Sequence, residues 1–124
     1  MSRFTDESLE RLRKILERRA AIEIHAPQYR RACVLVPLVR VDGGWSILFS
    51  RRSESLAAHS GQIAFPGGAV EQGELLEAAA VREAEEEVGI HRGAVELIGR
   101  LDDVVTNSGF LVAPFVGVIR ERID

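Results

Sequence analysis

The sequence predicts an α+β domain in which helices pack on a mixed β-sheet. Three observations carry that prediction. An amphipathic stripe lies near the N-terminus, two apolar runs flank a tight Asp-Gly-Gly turn, and a second helical segment is followed by two more apolar runs. Elements in this order favour layers of helix on sheet.

The first helix starts at Thr5 with Asp6 and Glu7, a capping residue followed by acids that suit the positive end of a helix. Leu9, Leu12, Ile15 and Leu16 then mark a narrow apolar stripe, which predicts a helix lying on the edge of the domain. A linker containing Pro27 leads into the apolar run 32–41. The turn Asp42-Gly43-Gly44 and the period-two stretch from Trp45 to Ser50 predict a pair of strands. Residues 53–68 read as irregular. A helix from about Glu74 to Val88 follows, with Gly89 as its C-terminal stop, and the runs near 95–101 and 110–119 read as further strands.

At 124 residues and 46% hydrophobic content, the chain suits one domain with one core. Its net charge of −3 and its lack of a basic block exclude an electrostatic footprint for nucleic acid. Cys33 sits in an apolar run and reads as a buried core thiol. No apolar signal segment opens the chain and no run is long enough to span a bilayer, so a cytoplasmic location is the default.

The chemistry concentrates between Gly68 and Ile90. Glu83, Glu86 and Glu87 are related by i, i+3 and i+4 and project from one helical face. Three carboxylates there repel one another, and the helix dipole near its C-terminus disfavours them further. A divalent cation relieves both, and oxygen-only ligation suits Mg2+, with Mn2+ as a substitute, better than Zn2+. The competing reading is a solvated acidic face, which is what most charge runs are. Gly67-Gly68 before the helix, Gly89 after it, and Arg82 beside Glu83 and four residues before Glu86 weigh against that alternative.

The matching residues follow the spacing Gly-x5-Glu-x7-Arg-Glu-U-x-Glu-Glu-x-Gly-U, with U apolar: Gly68, Glu74, Arg82, Glu83, Ala84, Glu86, Glu87, Gly89 and Ile90. This resembles the signature of the Nudix hydrolases, which implies a Nudix-type α/β/α sandwich with a mixed sheet. Upstream, Arg52, Ser53, Gly61, Phe65, Pro66, Gly67 and Gly68 resemble the extra motif of the coenzyme A pyrophosphatase branch, and Leu101 to Phe110 also looks like that branch. The implied reaction is hydrolysis of the diphosphate of coenzyme A to 4'-phosphopantetheine and adenosine 3',5'-bisphosphate. Glu83 and Glu87 would be metal ligands, Glu86 a third ligand or the base, and the Gly67 carbonyl a further ligand. Arg82 and Glu74 would brace the loop against the helix.

The chain departs from the branch motif at Ala57, where the motif carries Arg. Arg51, Arg52 or His59 are the candidates to replace it at a substrate phosphate, with an exposed or structural role for His59 as the alternative. Glu96, Asp102 and Asp103 are further carboxylates to test as the base. The resemblance implies a division into an N-terminal helix and linker over residues 1–28 and a Nudix domain over 29–124, a single domain overall. In the family the chain continues into another strand and a helix, so the end at Asp124 leaves a truncated or partly ordered product, or cover by a partner subunit, as explanations. The expected partner is a small molecule with a nucleoside-diphosphate linkage, not nucleic acid or membrane, and a homodimer is compatible with the reading. Other readings within reach are a Nudix hydrolase for ADP-ribose, dinucleotides or nucleoside triphosphates, and a noncatalytic ligand-binding module.

Overall fold

The computed structural model describes residues 4–48, 50–51 and 63–120. Its elements run α1 (Asp6–Arg18), β1 (Arg30–Val41), β2 (Gly44–Ile47), β3 (Ser50–Arg51), β4 (Ile63–Ala64), β5 (Gly67–Ala69), α2 (Leu76–Val88), a 3-10 turn Arg92–Ala94, β6 (Val95–Arg100), β7 (Val104–Val105) and β8 (Phe110–Ile119). β1 and β8 lie side by side and parallel at the centre of the main sheet, and every other pairing in it is antiparallel. On its other edge β1 meets β5 at residues 32–34 and β2 at 38–41. The far edge of β8 is divided in the same way between β7 and β6. β3 and β4 pair separately.

Alternation along the two central strands divides the core. Cys33, Leu35 and Val39 on β1 join Ala113, Phe115 and Ile119 on β8 beneath Ala79, Ala80 and Ala84 of α2. Leu38, Val116 and Val118 point the other way, with Trp45 and Ile98, beneath Leu9 and Leu16 of α1. The result is the expected helix–sheet–helix sandwich. Three fully buried alanines let the α2 backbone settle close to the sheet. Leu35 is fully buried, and its removal from water is worth roughly 1.5–3 kcal/mol.

The Thr5 side chain caps α1 by accepting from the Ser8 amide at 3.1 Å. Ile15, placed in the apolar stripe by its spacing, is 59% exposed, because the contact with the sheet is narrower than the stripe and ends at Leu16. In the β1–β2 turn Asp42 and Gly43 both take positive φ, 47° and 78°, which suits the right-handed twist of a two-residue hairpin. β2 ends at Ile47 rather than continuing to Ser50. The stretch read as irregular holds a strand after all: Gly67 and Gly68 belong to β5, which pairs with β1. A Cβ on Gly67 would lie 2.3 Å from the Cys33 carbonyl oxygen, so glycine is required for that approach. α2 starts at Leu76, two residues after the expected Glu74, and ends at Gly89 in the left-handed conformation, φ 74°. No helix among the described residues is long and apolar enough to cross a membrane.

Candidate active site

The site is built around Arg82, on the face of α2 that looks back at β5. Its Nε and Nη2 donate to the two carboxylate oxygens of Glu74 at 2.7 and 3.1 Å, a forked pair. Nη1 donates to Glu83 at 2.9 Å and more loosely to Glu86 at 3.3 Å, while Nη2 also reaches the Ala69 carbonyl at 3.2 Å. Glu74 in turn accepts from the Glu71 amide at 3.0 Å, which folds the loop before α2 onto the helix. The hydrogen bond from Arg82, with the Glu71 amide next, holds the Glu74 carboxyl below its ordinary range. The same contact with Glu74 pushes the Arg82 guanidinium further up, so it stays a cation.

Glu83 and Glu87 are the two acids of the helix that meet β5. The Glu83 carboxylate lies where a Cβ on Gly68 would be, 2.6–2.7 Å from that position, so the absence of a side chain at Gly68 makes its seat. Glu87 Oε2 accepts from the Gly67 amide at 3.4 Å. Glu86 is exposed and, among the described residues, touches the cluster through Arg82. Glu85 turns away to bond the Arg92 amide and side chain, which lower its carboxyl's pKa. The four consecutive-looking acids therefore separate into three around Arg82 and β5 and one that ties down the following turn.

As the side chains stand, no three of His, Cys, Asp and Glu among the described residues converge on one point tightly enough to hold an ion. The donor set is nonetheless suited to a hard divalent cation: oxygen atoms only, with two of the carboxylates seated against the glycine backbone of β5. Glu83 and Glu87, with the Gly67 carbonyl and the exposed Glu86, are the groups that could hold it.

α1 covers the sheet only over its β2 and β6 end. At the other end the same face is an open cleft of about 370 Å³. Ala32 and Val34 of β1 and Phe110 and Val112 of β8 line it, with Phe65, Gly67 and Gly68 on one side and Thr106 and Ser108 on the other. Thr106 fixes its turn by accepting from the Phe110 amide at 3.1 Å. Sequence reading missed the wall formed by Thr106 and Ser108. Nothing in the residues between 101 and 110 signals that β8 runs beside β1, and only that pairing brings the turn to the cleft. Cys33 is fully buried under the glycines, and burial pushes its thiol up to about 11.

Arg51 lies in β3, while Arg52, His59 and Ala57 fall outside the described residues. The three carboxylates kept in view as bases are engaged elsewhere. Glu96 pairs with Arg13 and Arg120, which hold its carboxyl down at about 2. Asp102 accepts from the Ile22 amide and pairs with Arg19. Asp103 is buried; burial alone would raise its pKa, but Arg100, the Ile24 amide and Arg31 together bring it down. These acids fasten α1 and its linker to the sheet.

The family profile described as the NUDIX domain matches residues 29–120. The chain belongs to the Nudix family. An uncharacterized Nudix hydrolase NudL of Klebsiella pneumoniae is 51% identical over 96 residues, covering 77% of this chain and 50% of the relative. A NudL of Klebsiella aerogenes is 49% identical over 98 residues, 77% of this chain and 81% of its own length. The chain thus spans about half the length of the first of these Nudix relatives. Among solved structures, the Nudix hydrolase RenU of M. smegmatis superposes with a TM-score of 0.63 at 23% identity, over 77% of this chain and 64% of that one. A C. elegans Ap4A hydrolase binary complex gives 0.64 at 22% identity, over 75% and 68%. At these identities the likeness is one of Nudix fold.

Proposed function

We propose that this chain is a Mg2+- or Mn2+-dependent pyrophosphohydrolase that cleaves the diphosphate of coenzyme A or a derivative into 4'-phosphopantetheine and adenosine 3',5'-bisphosphate. The observation that carries this reading is the meeting of acid and cleft at β5. Gly67 and Gly68 line the cleft and also seat the Glu87 and Glu83 carboxylates. A substrate lying in the cleft would present its diphosphate to those acids. The upstream motif that ends in Phe65-Pro66-Gly67-Gly68 supports coenzyme A as the substrate.

A bound divalent ion would polarise the phosphoryl oxygens and acidify a water, and Glu83 and Glu87, with the Gly67 carbonyl, would hold it. Arg82 keeps Glu83 in place with its Nη1 and locks the loop through Glu74. Glu86, exposed and only loosely tied to Arg82, is free to take a proton from the water that attacks phosphorus while the bridging P–O bond breaks. Phe65 and Phe110 line the cleft and would give a nucleobase apolar, aromatic contact there. Arg51, Arg52 and His59 remain the candidates for the substrate phosphates.

The departure at Ala57 favours a second reading, a Nudix hydrolase for ADP-ribose, dinucleotides or nucleoside triphosphates. Incubating the chain with each substrate and Mg2+ or Mn2+, and analysing products, separates the two. Metal-dependent adenosine 3',5'-bisphosphate supports coenzyme A. Cleavage of the other substrates alone discards it, and no cleavage of any leaves a ligand-binding Nudix module.

A further inference from the structure

We infer that Arg30 reads a phosphate on the nucleoside half of the substrate, away from the scissile diphosphate; this rests on the reading that a nucleotide occupies the cleft. The floor of the cleft is a two-strand row in register, Arg30 opposite Phe110 and Ala32 opposite Val112. Alternation places Arg30, Ala32 and Val34 on one face of β1, and the last two line the cleft. Arg30 is therefore the next position on the floor, at its outer end.

Three further observations make it more than a surface arginine. No charged side chain among the described residues lines the cleft itself, so of the described cations Arg30, next along the floor, is the one placed to meet an anionic group at that end. The guanidinium is held 5.9 Å from the centroid of the Phe110 ring, and that ring is part of the cleft wall. No acidic side chain of the described residues forms an ion pair with Arg30, whereas neighbouring Arg31 is taken up by Asp103. Arg30 is exposed.

The spacing fits a nucleotide. Val34 stands opposite Gly67, where the acids meet β5, and Arg30 is four residues back along the strand, about 13 Å at 3.3 Å per residue. A long Arg side chain starting there can reach back along the floor to the ribose of a nucleotide whose 5'-diphosphate lies at Gly67. A second phosphate on the ribose would accept its forked donors.

The test is binding of adenosine 3',5'-bisphosphate against AMP, by calorimetry with Mg2+ fixed, to the wild-type chain, Arg30→Gln and Arg30→Lys. Wild type should bind the bisphosphate about tenfold more tightly than AMP, as expected for a charge-assisted contact at an exposed site. Arg30→Gln should erase that preference by weakening the bisphosphate alone, and Arg30→Lys should keep part of it. Equal affinities in wild type, or equal losses for both ligands in Arg30→Gln, overturn the inference. Coenzyme A turnover is assayed in parallel. If the preference and its loss appear but coenzyme A is not cleaved, the substrate assignment fails while the role of Arg30 stands.

Discussion

At the scale of single residues, Arg82 and Gly68 separate support from chemistry. Arg82 is 13% exposed and holds Glu74 through a fork that Lys cannot reproduce. We expect Arg82→Lys to keep the fold but lower turnover roughly 10–100-fold, the usual cost of losing a partner that orients a ligand. A wild-type rate would remove the brace from the mechanism. Gly68→Ala tests the seat of Glu83 directly. The atoms nearest the added methyl are the tip of the flexible Glu83 side chain, so the melting temperature should change little while turnover falls at least tenfold as Glu83 is displaced. If Glu83 ligates metal, Glu83→Gln and Glu87→Gln should each cost at least about a hundredfold in turnover with the fold intact. Near-normal rates in both would sink the assignment. Helical spacing made the Glu83, Glu86 and Glu87 face and the nearby Arg82 legible in the sequence. It did not make Glu74 legible as Arg82's fork partner, because Glu74 precedes the helix and reaches Arg82 only through the turn back to the Glu71 amide.

At the scale of elements, α1 is tied to the sheet by charge as well as by its leucines. Arg13 on α1 and Arg120 after β8 both hold Glu96 of β6. Because the folded pKa of Glu96 lies below that of a free carboxyl, at about 2, its contribution is present above the usual carboxylate range. It fades as the pH falls from the ordinary Glu value of 4.5 through about 2. Glu96 is partly exposed, so solvent screening keeps the effect small: Glu96→Gln should lower the melting temperature at pH 7 by about 2–4 °C. Thermal scans from pH 7 to pH 2 should show the two proteins converge, and a constant gap would place the effect outside this ion pair. Gly99 serves the same docking, since a Cβ there would lie 2.5 Å from Leu16. Apolar runs, the period-two stretch after Trp45 and the Asp-Gly turn announced β1, β2, β6 and β8. β5 was silent because two glycines and an alanine carry no alternation, and its strand exists only through pairing with β1.

At the scale of the whole molecule, metal binding tests whether this span holds a complete site. The matched region is about 81% of one NudL relative and half of another, so the same span is matched in chains of different length. Within this chain the α2 acids and the sheet meet at one place, Gly67 and Gly68, and an ion held there would join α2 to β5 in the folded state alone. A ligand that binds only the native state raises its stability by mass action; at ten times its Kd the gain is about 1.4 kcal/mol, or about 4–7 °C for a chain of this size. We therefore expect Mg2+ and Mn2+ to raise the melting temperature in a saturable way. The Glu83→Gln, Glu87→Gln double variant should lose the shift, while Glu85→Gln, whose parent side chain faces Arg92, should keep it. An equal shift in the double variant would move the ion away from β5 and with it the proposed chemistry. No shift in the wild type would mean that these acids do not gather around an ion in this span. The arrangement seen here, with Arg82 between Glu83 and Glu86, would then be its resting one.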